Sequence, residues 1–246
     1  MAFSNIIHLV WFQGFANAPD HVRGTPALWR AMNPSYTVME WDYESLSAFI
    51  AKRYRQYYDR WNKLDLIIKK CDVARFLLVH HYGGAYVDAD LIPQRPLDAF
   101  LDGGEIRHHR TKFVTELPQP DPIETLNLRE RDFILSREYR PIDMTGSGVA
   151  NGFIIASPGL PMWIDFMEAQ IEQPTRRVLD FFGPHALTRF LRERADSLQG
   201  KGLVVPPYYF LWEDHAMKQP APAWVVSKHL AINHWGDKTR ADWWNV

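Results

Sequence analysis

The sequence predicts an α/β domain with a mostly parallel central sheet and helices on both faces. Short apolar runs typical of buried strands alternate with helical patterns along the chain, and this alternation is typical of parallel sheets. The chain has 246 residues, of which 46% are hydrophobic and 23% charged, a composition typical of soluble globular domains. This length suits one domain with a sizeable core, so we expect residues 1–246 to form a single domain.

The first third of the chain contains clear helix and strand boundaries. Thr25 followed by Pro26 indicates a helix start, because threonine caps helix N-termini and proline suits the first helical positions. Gly83 and Gly84 end the longest helical pattern. The predicted elements are a strand at 6–11, a helix at 25–33, a strand at 36–41, a helix at 42–50 capped by Asp42, a helix within 54–61, a helix at 64–81 and a strand at 85–88.

The rest of the chain alternates less regularly. Pro93 and Pro96 interrupt the segment after the strand at 85–88. Residues from about 115 to 140 contain prolines and then mixed charges, so we expect an inserted flap there instead of core. The remaining predicted elements are strands at 149–156, 203–205 and 230–234, and helices that begin at Pro161 and after Gly183-Pro184.

Charge and cysteine content narrow the class of protein. Lys and Arg total 28 and Asp and Glu total 29, a balance that argues against binding to nucleic-acid phosphates. The single cysteine, Cys71, excludes an internal disulfide and favours a reducing compartment. The sequence shows neither a signal-peptide pattern nor a long apolar run. These features predict a cytoplasmic protein without a membrane span.

Asp88 and Asp90 form an Asp-x-Asp motif directly after a predicted strand. Ligands of open α/β sheets bind at the carboxyl ends of the strands, where this motif lies. Two carboxylates at this spacing can share a hard divalent cation such as Mg²⁺ or Mn²⁺. On the spacing alone, a solvated turn with carboxylates that cap backbone groups is the simpler interpretation, so the metal hypothesis depends on the neighbouring residues.

Asp72 and Arg75 lie on neighbouring directions of the predicted helix at 64–81, among apolar residues. A charged pair on an apolar face is costly unless the charges are paired or meet a ligand. One interpretation is an internal ion pair between residues three apart. In the other, Arg75 binds phosphate through its planar guanidinium and Asp72 accepts a hydrogen bond from a sugar hydroxyl.

Several single residues are weaker candidates. His8 lies in an apolar strand, where a core histidine is the simpler interpretation than a ligand-binding one. Trp11, at the end of that strand, either stacks on a base or lines the core rim. Asn151 and Gly152 at a strand start can bring an amide and the backbone close to a ligand. His234 follows the last predicted strand and is a candidate for a metal or diphosphate contact.

Taken together, these segments resemble the sugar transferases of glycosyltransferase family 32, which contain a DXD motif. The Asp-x-x-Arg helix, the Tyr-Gly-Gly-x-Tyr turn and the DXD motif follow one another in a single run, which makes the resemblance specific. Family members usually have Pro-Lys before the first strand, whereas this chain has Ser4-Asn5. The matching segments are 6–11, 70–76, 82–90, 151–153, Gly183-Pro184 and His234-Trp235.

The resemblance implies a GT-A fold, with one Rossmann-like domain, and a nucleoside diphosphate sugar, UDP- or GDP-linked, as donor. It also implies Mn²⁺ or Mg²⁺ as cofactor, retention of the anomeric configuration, and a glycan, glycolipid or protein acceptor. By motif match, Asp90 coordinates the metal, Asp88 lies near the ribose and donor sugar, and Trp11 lies near the base. The expected catalytic residues are Asp72, Arg75, Asp88 and Asp90; the expected metal ligands are Asp88, Asp90 and His234; and the expected donor-binding residues are His8, Trp11, Asp72, Arg75, Asp88, Asn151 and Gly152.

Two other functions fit the same residues. A metal-dependent hydrolase of nucleoside diphosphate sugars shares the Asp pair and Arg75 but needs a base that activates water. A non-catalytic module that binds nucleotide sugars or glycans through its tryptophans does not need Asp88 or Asp90. The segment at 115–140 and Trp243-Trp244 are candidates for acceptor or lid contacts, although a terminal aromatic pair also packs a tail onto a domain.

Overall fold

A computed structural model describes residues 3–107, 123–138, 148–173, 177–213 and 220–230. Strands and helices alternate through most of this part of the chain, as the sequence predicts. The strands are β1 Ile6–Val10, β2 Thr37–Trp41, β3 Gly84–Val87, β4 Leu91–Pro93, β5 Glu105–Arg107, β6 Ile123–Thr125, β7 Phe133–Arg137, β8 Val149–Ala156, β9 Gly202–Val205 and β10 Ser227–His229. The helices are α1 Asp20–Arg23, α2 Thr25–Met32, α3 Tyr43–Arg53, α4 Arg55–Asn62, α5 Ile67–Tyr82, α6 Leu97–Gly103, α7 Pro161–Gln170, α8 Val178–Phe181, α9 Pro184–Glu193 and α10 Ala195–Leu198.

A six-stranded sheet in the order β2-β1-β3-β8-β7-β9 forms the centre of the fold. β1 is parallel to β2 and β3, and β7 is parallel to β9. β8 lies between β3 and β7 and is antiparallel to both, so five of the six strands run in one direction. The predicted mostly parallel sheet is therefore confirmed. Two antiparallel pairs, β4 with β10 and β5 with β6, lie outside it.

Helices cover both faces of this sheet, as predicted, because the side chains of each strand alternate between two cores. In β1, Ile7 and Leu9 enter one core together with Trp29 of α2, whereas Val10 enters the other together with Leu78 of α5. No helix in the described ranges is both long and apolar enough to cross a membrane.

Helix starts follow the local signals in the sequence closely. Asp42 caps α3, because its carboxylate accepts from the Ser45 backbone N–H at 2.9 Å and the Ser45 hydroxyl accepts from the Asp42 N–H at 2.9 Å. Pro161 and Pro184 occupy the first positions of α7 and α9. The predicted cap of α2 is wrong by one residue, because Gly24 takes the cap position and Thr25 is already helical.

Gly83 and Gly84 connect α5 to β3 through two residues with positive φ, 66° and 82°. The first ends α5, and the second brings the backbone so close to β1 that a Cβ at Gly84 would lie 2.3 Å from the Ile6 carbonyl oxygen. Glycine is needed at Gly84 both for its φ and for this close approach. The turn leads β3 directly to Asp88 at the sheet edge.

His8 belongs to the core of the protein. Its ring is fully buried, its Nδ1 accepts from the Trp41 indole N–H at 3.2 Å, and its Nε2 lies 3.1 Å from the Gly83 carbonyl. The indole can only donate and the carbonyl can only accept, so the ring is neutral with its proton on Nε2. Burial lowers the pKa of His8 to about 4, opposed by the bond to Gly83.

Two regions differ from the sequence prediction. Phe133–Arg137 falls within the predicted flap at 115–140 but forms β7, with four consecutive buried residues between β8 and β9. The apolar run at 133–135 fills the core although the charges around it suggested a surface excursion. β10, Ser227–His229, is a strand that the sequence does not predict; of the strand predicted at 230–234, only Leu230 is described, and it directly follows β10. Residues 108–122, 139–147 and 231–246, which include both ends of the predicted flap, lie outside the described residues.

We predict that His8→Gln flattens the dependence of stability on pH below neutrality. The folded protein resists protonation of His8 until about pH 4, whereas an unfolded histidine protonates near pH 6.5. His8 therefore contributes stability above pH 6.5 that is lost as the pH falls towards 4, by up to about 3 kcal/mol. Urea unfolding of the wild type and of His8→Gln between pH 7.5 and 4.5 measures this loss. Free energies of unfolding that fall equally with pH in the two proteins would contradict the prediction.

We predict that Gly84→Ala destabilises the fold by about 2 to 5 kcal/mol, because it combines a strained φ with a clash against the Ile6 carbonyl. Gly159→Ala is the matched control, since Gly159 also has a positive φ, 73°, but a Cβ there meets no atom within 4 Å. We expect this control to lower the free energy of unfolding by about 1 kcal/mol. Equal decreases for Gly84→Ala and Gly159→Ala in urea unfolding would show that the clash with β1 adds no cost to Gly84→Ala.

Candidate functional site

The candidate site lies at the edge of the sheet where β3 ends and β8 begins. Asp88 follows the last residue of β3, and its backbone N–H donates to the Gly152 carbonyl at 2.8 Å. Because β8 runs antiparallel to β3, its early residues Asn151 and Gly152 lie at the same edge. The structure thus brings together two segments more than 60 residues apart in the sequence.

Arg75 of α5 is buried at this edge and contacts three groups. Its Nη2 donates to Asp72 Oδ1 at 2.6 Å, and its Nη1 lies 3.1 Å from Asp88 Oδ1 and donates to the Asn151 carbonyl at 2.7 Å. Its guanidinium carbon also lies 4.7 Å from the centre of the Tyr86 ring. The predicted ion pair with Asp72 is therefore present, and Arg75 additionally joins the helix to both strands.

Asn151 completes this buried network from the side of β8. Its amide Nδ2 donates to Asp72 Oδ1 at 3.0 Å and to the Phe182 carbonyl at 3.2 Å. Burial raises the pKa of Asp72 to about 6, although the charge of Arg75 and the bond from Asn151 oppose the shift. Asp72 is therefore mostly ionised at neutral pH and held by two donors.

The Asp88 carboxylate is held in one orientation by its surroundings. Oδ1 accepts from the Tyr86 hydroxyl at 2.7 Å and pairs with Arg75. A Cβ at Gly152 would lie 2.6 Å from Asp88 Oδ2, so only glycine leaves room for this oxygen. Burial raises the pKa of Asp88; Arg75 opposes this shift and Asp90 adds to it. About a third of the side chain stays exposed to solvent.

The Asp90 carboxylate contacts a histidine near the end of the described chain. His229 Nε2 lies 3.3 Å from Asp90 Oδ2, and His229 Nδ1 lies 2.9 Å from Glu213 Oε1. Burial alone would lower the pKa of His229, but its bonds to Asp90 and Glu213 raise the pKa to about 10. His229 is therefore an imidazolium that bridges two carboxylates at neutral pH.

Glu138 adds another carboxyl group to this cluster. It directly follows β7, at the same edge of the sheet as Asp88. Burial raises the pKa of Glu138; the charge of His229 opposes the shift, and the charges of Asp88 and Glu213 add to it.

Sequence reasoning missed Glu138, Glu213 and His229. Glu138 was assigned to the predicted flap, and only the pairing of β7 in the sheet brings it to the site. The sequence Ser-Lys-His of β10 has no apolar alternation that indicates a strand, and its pairing with β4 brings His229 to Asp90. No local signal in the sequence points to either contact.

Of the remaining predicted site residues, one lies at the end of β1, one lies in the core, and the others lie outside the described residues. Trp11 follows β1 directly and is partly buried at the carboxyl end of that strand. The structure does not bring His8 to the cluster, because its ring faces the core and both ring nitrogens are occupied. His234 and Trp243-Trp244 lie outside the described residues.

The donor chemistry of the site fits a hard divalent cation. Asp88 and Asp90 offer carboxylate oxygens, which Mg²⁺ and Mn²⁺ prefer, and both side chains are partly exposed. The space beside Gly152 accommodates Asp88 at this position. Within the ranges that the structure describes, no three His, Cys, Asp or Glu side chains are arranged to hold a metal together.

Part of the first half of the chain matches a known protein family. The family described as "Glycosyltransferase sugar-binding region containing DXD motif" matches residues 19–106. This range includes Asp72, Arg75, Asp88 and Asp90, so the resemblance to the DXD-containing sugar transferases is confirmed. Asn151, Gly152, Glu213 and His229 lie beyond it.

Curated relatives match segments of about the same length. An uncharacterized glycosyltransferase of Acanthamoeba polyphaga mimivirus is 28% identical over 101 residues, which are 41% of this chain and 40% of that protein. Inositol phosphoceramide mannosyltransferase 3 of Schizosaccharomyces pombe is 30% identical over 100 residues, which are 41% of this chain and 28% of that protein. The chain therefore matches two fifths or less of the length of these relatives.

Solved structures of glycosyltransferase domains share the fold over most of the chain. The PaToxG glycosyltransferase superposes with a TM-score of 0.54 at 15% identity, over 81% of this chain and 73% of that chain. The UDP-bound glycosyltransferase domain of the YGT toxin superposes with a TM-score of 0.56 at 9% identity, over 100% of this chain and 83% of that chain. These domains are of the GT-A type, so the predicted fold is confirmed.

We predict that Arg75→Met destabilises the protein by about 3 to 5 kcal/mol, because it leaves the buried Asp72 carboxylate without its cation. The double variant Arg75→Met/Asp72→Asn is expected to be more stable than the single variant, since the unpaired charge is gone. Arg23→Met is a control at an exposed pair with Asp20, where we expect a change within about 1 kcal/mol. Urea unfolding measures all three. A double variant no more stable than Arg75→Met would contradict a cost that arises from the unpaired charge.

Proposed function

Since residues 19–106 match the DXD glycosyltransferase region and the fold is of the GT-A type, we propose that the protein is a metal-dependent glycosyltransferase. Its donor would be a nucleoside diphosphate sugar, UDP- or GDP-linked. The observation that supports this most strongly is the buried network of Asp72, Arg75, Asp88 and Asn151, which ends at the DXD carboxylates.

The charge of the site supports a requirement for a divalent cation. The site contains five carboxyl groups and two cationic side chains, so its formal charge is negative. A diphosphate brings further negative charge, and like charges at this range repel strongly in a partly buried site. A donor with this chemistry therefore needs a cation between itself and the protein. The carboxyl groups are Asp72, Asp88, Asp90, Glu138 and Glu213, and the cations are Arg75 and His229.

In this proposal Asp88 and Asp90 would hold Mn²⁺ or Mg²⁺, which would supply positive charge to neutralise the departing diphosphate. Arg75 faces the same side of the site and adds a permanent positive charge near the leaving group. Asp72 and the Asn151 backbone carbonyl hold Arg75 in place. The side chains of Asp72 and Asn151 are proposed to contact the donor sugar. Trp11, at the end of β1, is proposed to contact the base.

We propose that transfer retains the anomeric configuration by attack on the same face of the sugar from which the diphosphate leaves. The acceptor hydroxyl forms a bond to the anomeric carbon, the bond from that carbon to the phosphate oxygen breaks, and the departing phosphate takes the hydroxyl proton. This route needs no covalent intermediate with the protein. It is consistent with Asp72 and Asp88, because Arg75 pairs with one carboxylate oxygen, Oδ1, of each.

The acceptor in this proposal is a hydroxyl of a glycan, a glycolipid or a protein. Relatives named inositol phosphoceramide mannosyltransferases direct attention to mannose and to glycolipid acceptors. These relatives match less than half of this chain, so the proposed donor class rests on the DXD region and not on them. The cytoplasmic location and the single-domain organisation over residues 1–246 stay predictions from the sequence.

Thermal unfolding with a panel of nucleotides tests this proposal. UDP, GDP and their sugar conjugates are each added with Mn²⁺ and with a chelator. We expect one nucleotide to stabilise the wild type only with Mn²⁺, by about 2.7 kcal/mol at one hundred times its Kd. Asp90→Asn should abolish the shift because it removes a charged ligand of the cation. Asp20→Asn, at an exposed site in α1, should leave it unchanged.

The alternatives give different results in the same experiment. A hydrolase would release sugar from the stabilising donor at a rate that added acceptors do not change. A glycan-binding module would show no shift with any nucleotide, or a shift that survives both the chelator and Asp90→Asn. Either result would replace the transferase proposal.

A further inference from the structure

Asp90 lies beside the last described segment of the chain. The sequence of the DXD region does not predict this contact. β4 begins one residue after Asp90 and pairs with β10, with His229 opposite Leu91. The Leu230 backbone N–H donates to the Asp90 carbonyl at 3.1 Å. The backbone of the motif and the chain near residue 230 are therefore joined by a continuous ladder of hydrogen bonds.

The side chain of His229 makes a second connection to Asp90. One ring nitrogen lies 3.3 Å from Asp90 Oδ2, and the other lies 2.9 Å from Glu213 Oε1. A ring held at both nitrogens cannot rotate without losing a charge-assisted hydrogen bond. Glu213 thus determines where His229 presents its Nε2–H to Asp90.

The backbone that holds His229 and Glu213 is itself anchored in the core. The His229 N–H donates to the Trp212 carbonyl at 2.7 Å, and the Trp212 indole is fully buried. The Ser227 hydroxyl donates to the Phe210 carbonyl at 2.6 Å. Because these contacts tie residues 210–213 to 227–229, His229 and Glu213 keep their separation.

Asp88 and Asp90 differ in what orients them. Asp88 is held by Arg75, Tyr86 and the space at Gly152. Among the described residues, the Asp90 side chain has only His229 as a hydrogen-bonding partner. Without that contact the Asp90 carboxylate would be free to rotate. With it, Oδ2 is occupied and Oδ1 remains available to a ligand.

We propose that Glu213 and His229 are positioning residues that orient the Asp90 carboxylate for a divalent cation. This inference rests on the proposed function and deepens it. Glu213 orients His229, His229 donates to Asp90 Oδ2, and Asp90 Oδ1 would remain available to the cation. Groups that hold a metal ligand in this way usually affect metal affinity by about 10-fold to 100-fold.

Two substitutions at His229 separate its two contacts. The amide nitrogen of a glutamine reaches near the position of the ring Nε2, so His229→Gln keeps a donor towards Asp90 and loses the one towards Glu213. The shorter amide of an asparagine mimics Nδ1, so His229→Asn keeps the donor towards Glu213 and loses the one towards Asp90. Both variants leave the backbone pairing of β10 with β4 unchanged.

The experiment measures binding of Mn²⁺ by electron paramagnetic resonance, with Mn²⁺ alone and then with UDP or GDP, at one pH. We expect His229→Asn to weaken Mn²⁺ binding by about 10-fold to 100-fold and His229→Gln to stay within about threefold of wild type. Glu213→Ala should weaken it by about tenfold, because His229 loses its anchor. Urea unfolding of each variant shows that the protein is folded, and Glu213→Ala provides the test if His229→Asn does not fold.

The possible results distinguish this inference from the proposed function. Wild-type protein that binds Mn²⁺ while His229→Asn and Glu213→Ala bind it equally well would overturn the positioning role alone. Equal weakening by His229→Asn and His229→Gln would also overturn it, because the contact with Asp90 would then not be what matters. Wild-type protein that binds no Mn²⁺, with or without either nucleotide, would overturn both.

Discussion

Arg75 lies in the interior with its guanidinium between two carboxylates, and the geometry of the candidate site depends on that buried charge. Burying a cation is costly, and here the cost is offset by ion pairs with Asp72 and Asp88 and by the Asn151 carbonyl. These three partners come from a helix, from the residue after β3 and from β8. The charge therefore ties together the three elements whose relative position defines the site, and loss of any partner would leave an unpaired buried group.

Close approach of backbone segments is the second constraint on the site. Gly84 lets β3 start against β1, and Gly152 lets the Asp88 carboxylate lie over β8. At both positions even one methyl group would collide with an oxygen atom of another segment. The absence of a side chain thus has a specific structural role at these two glycines, since each allows a polar atom to occupy the position that a Cβ would take.

The electrostatics of the site connect its structure to the chemistry that we propose. The carboxyl groups outnumber the cationic side chains, and burial raises the pKa of Asp72, Asp88 and Glu138. A site with this charge favours a divalent cation and disfavours an unaccompanied diphosphate. His229 supplies a positive charge next to Asp90 in the structure described here and is held there by Glu213. This arrangement explains how several acidic groups are accommodated at one edge of the sheet.

The sequence by itself determined the α/β class, most strand and helix positions, and the segment from Asp72 to Asp90 as the candidate site. These features follow from local signals, namely apolar periodicity, the cap at Asp42, helix-starting prolines and the Gly83-Gly84 turn. The tertiary structure decided which residues meet. It placed His8 in the core, made β7 a central strand despite its charged neighbours, and brought Glu213 and His229 to Asp90. The contact of His229 with Asp90, for example, joins residues 139 positions apart. Such contacts depend on strand pairing and packing, which the local sequence pattern does not show.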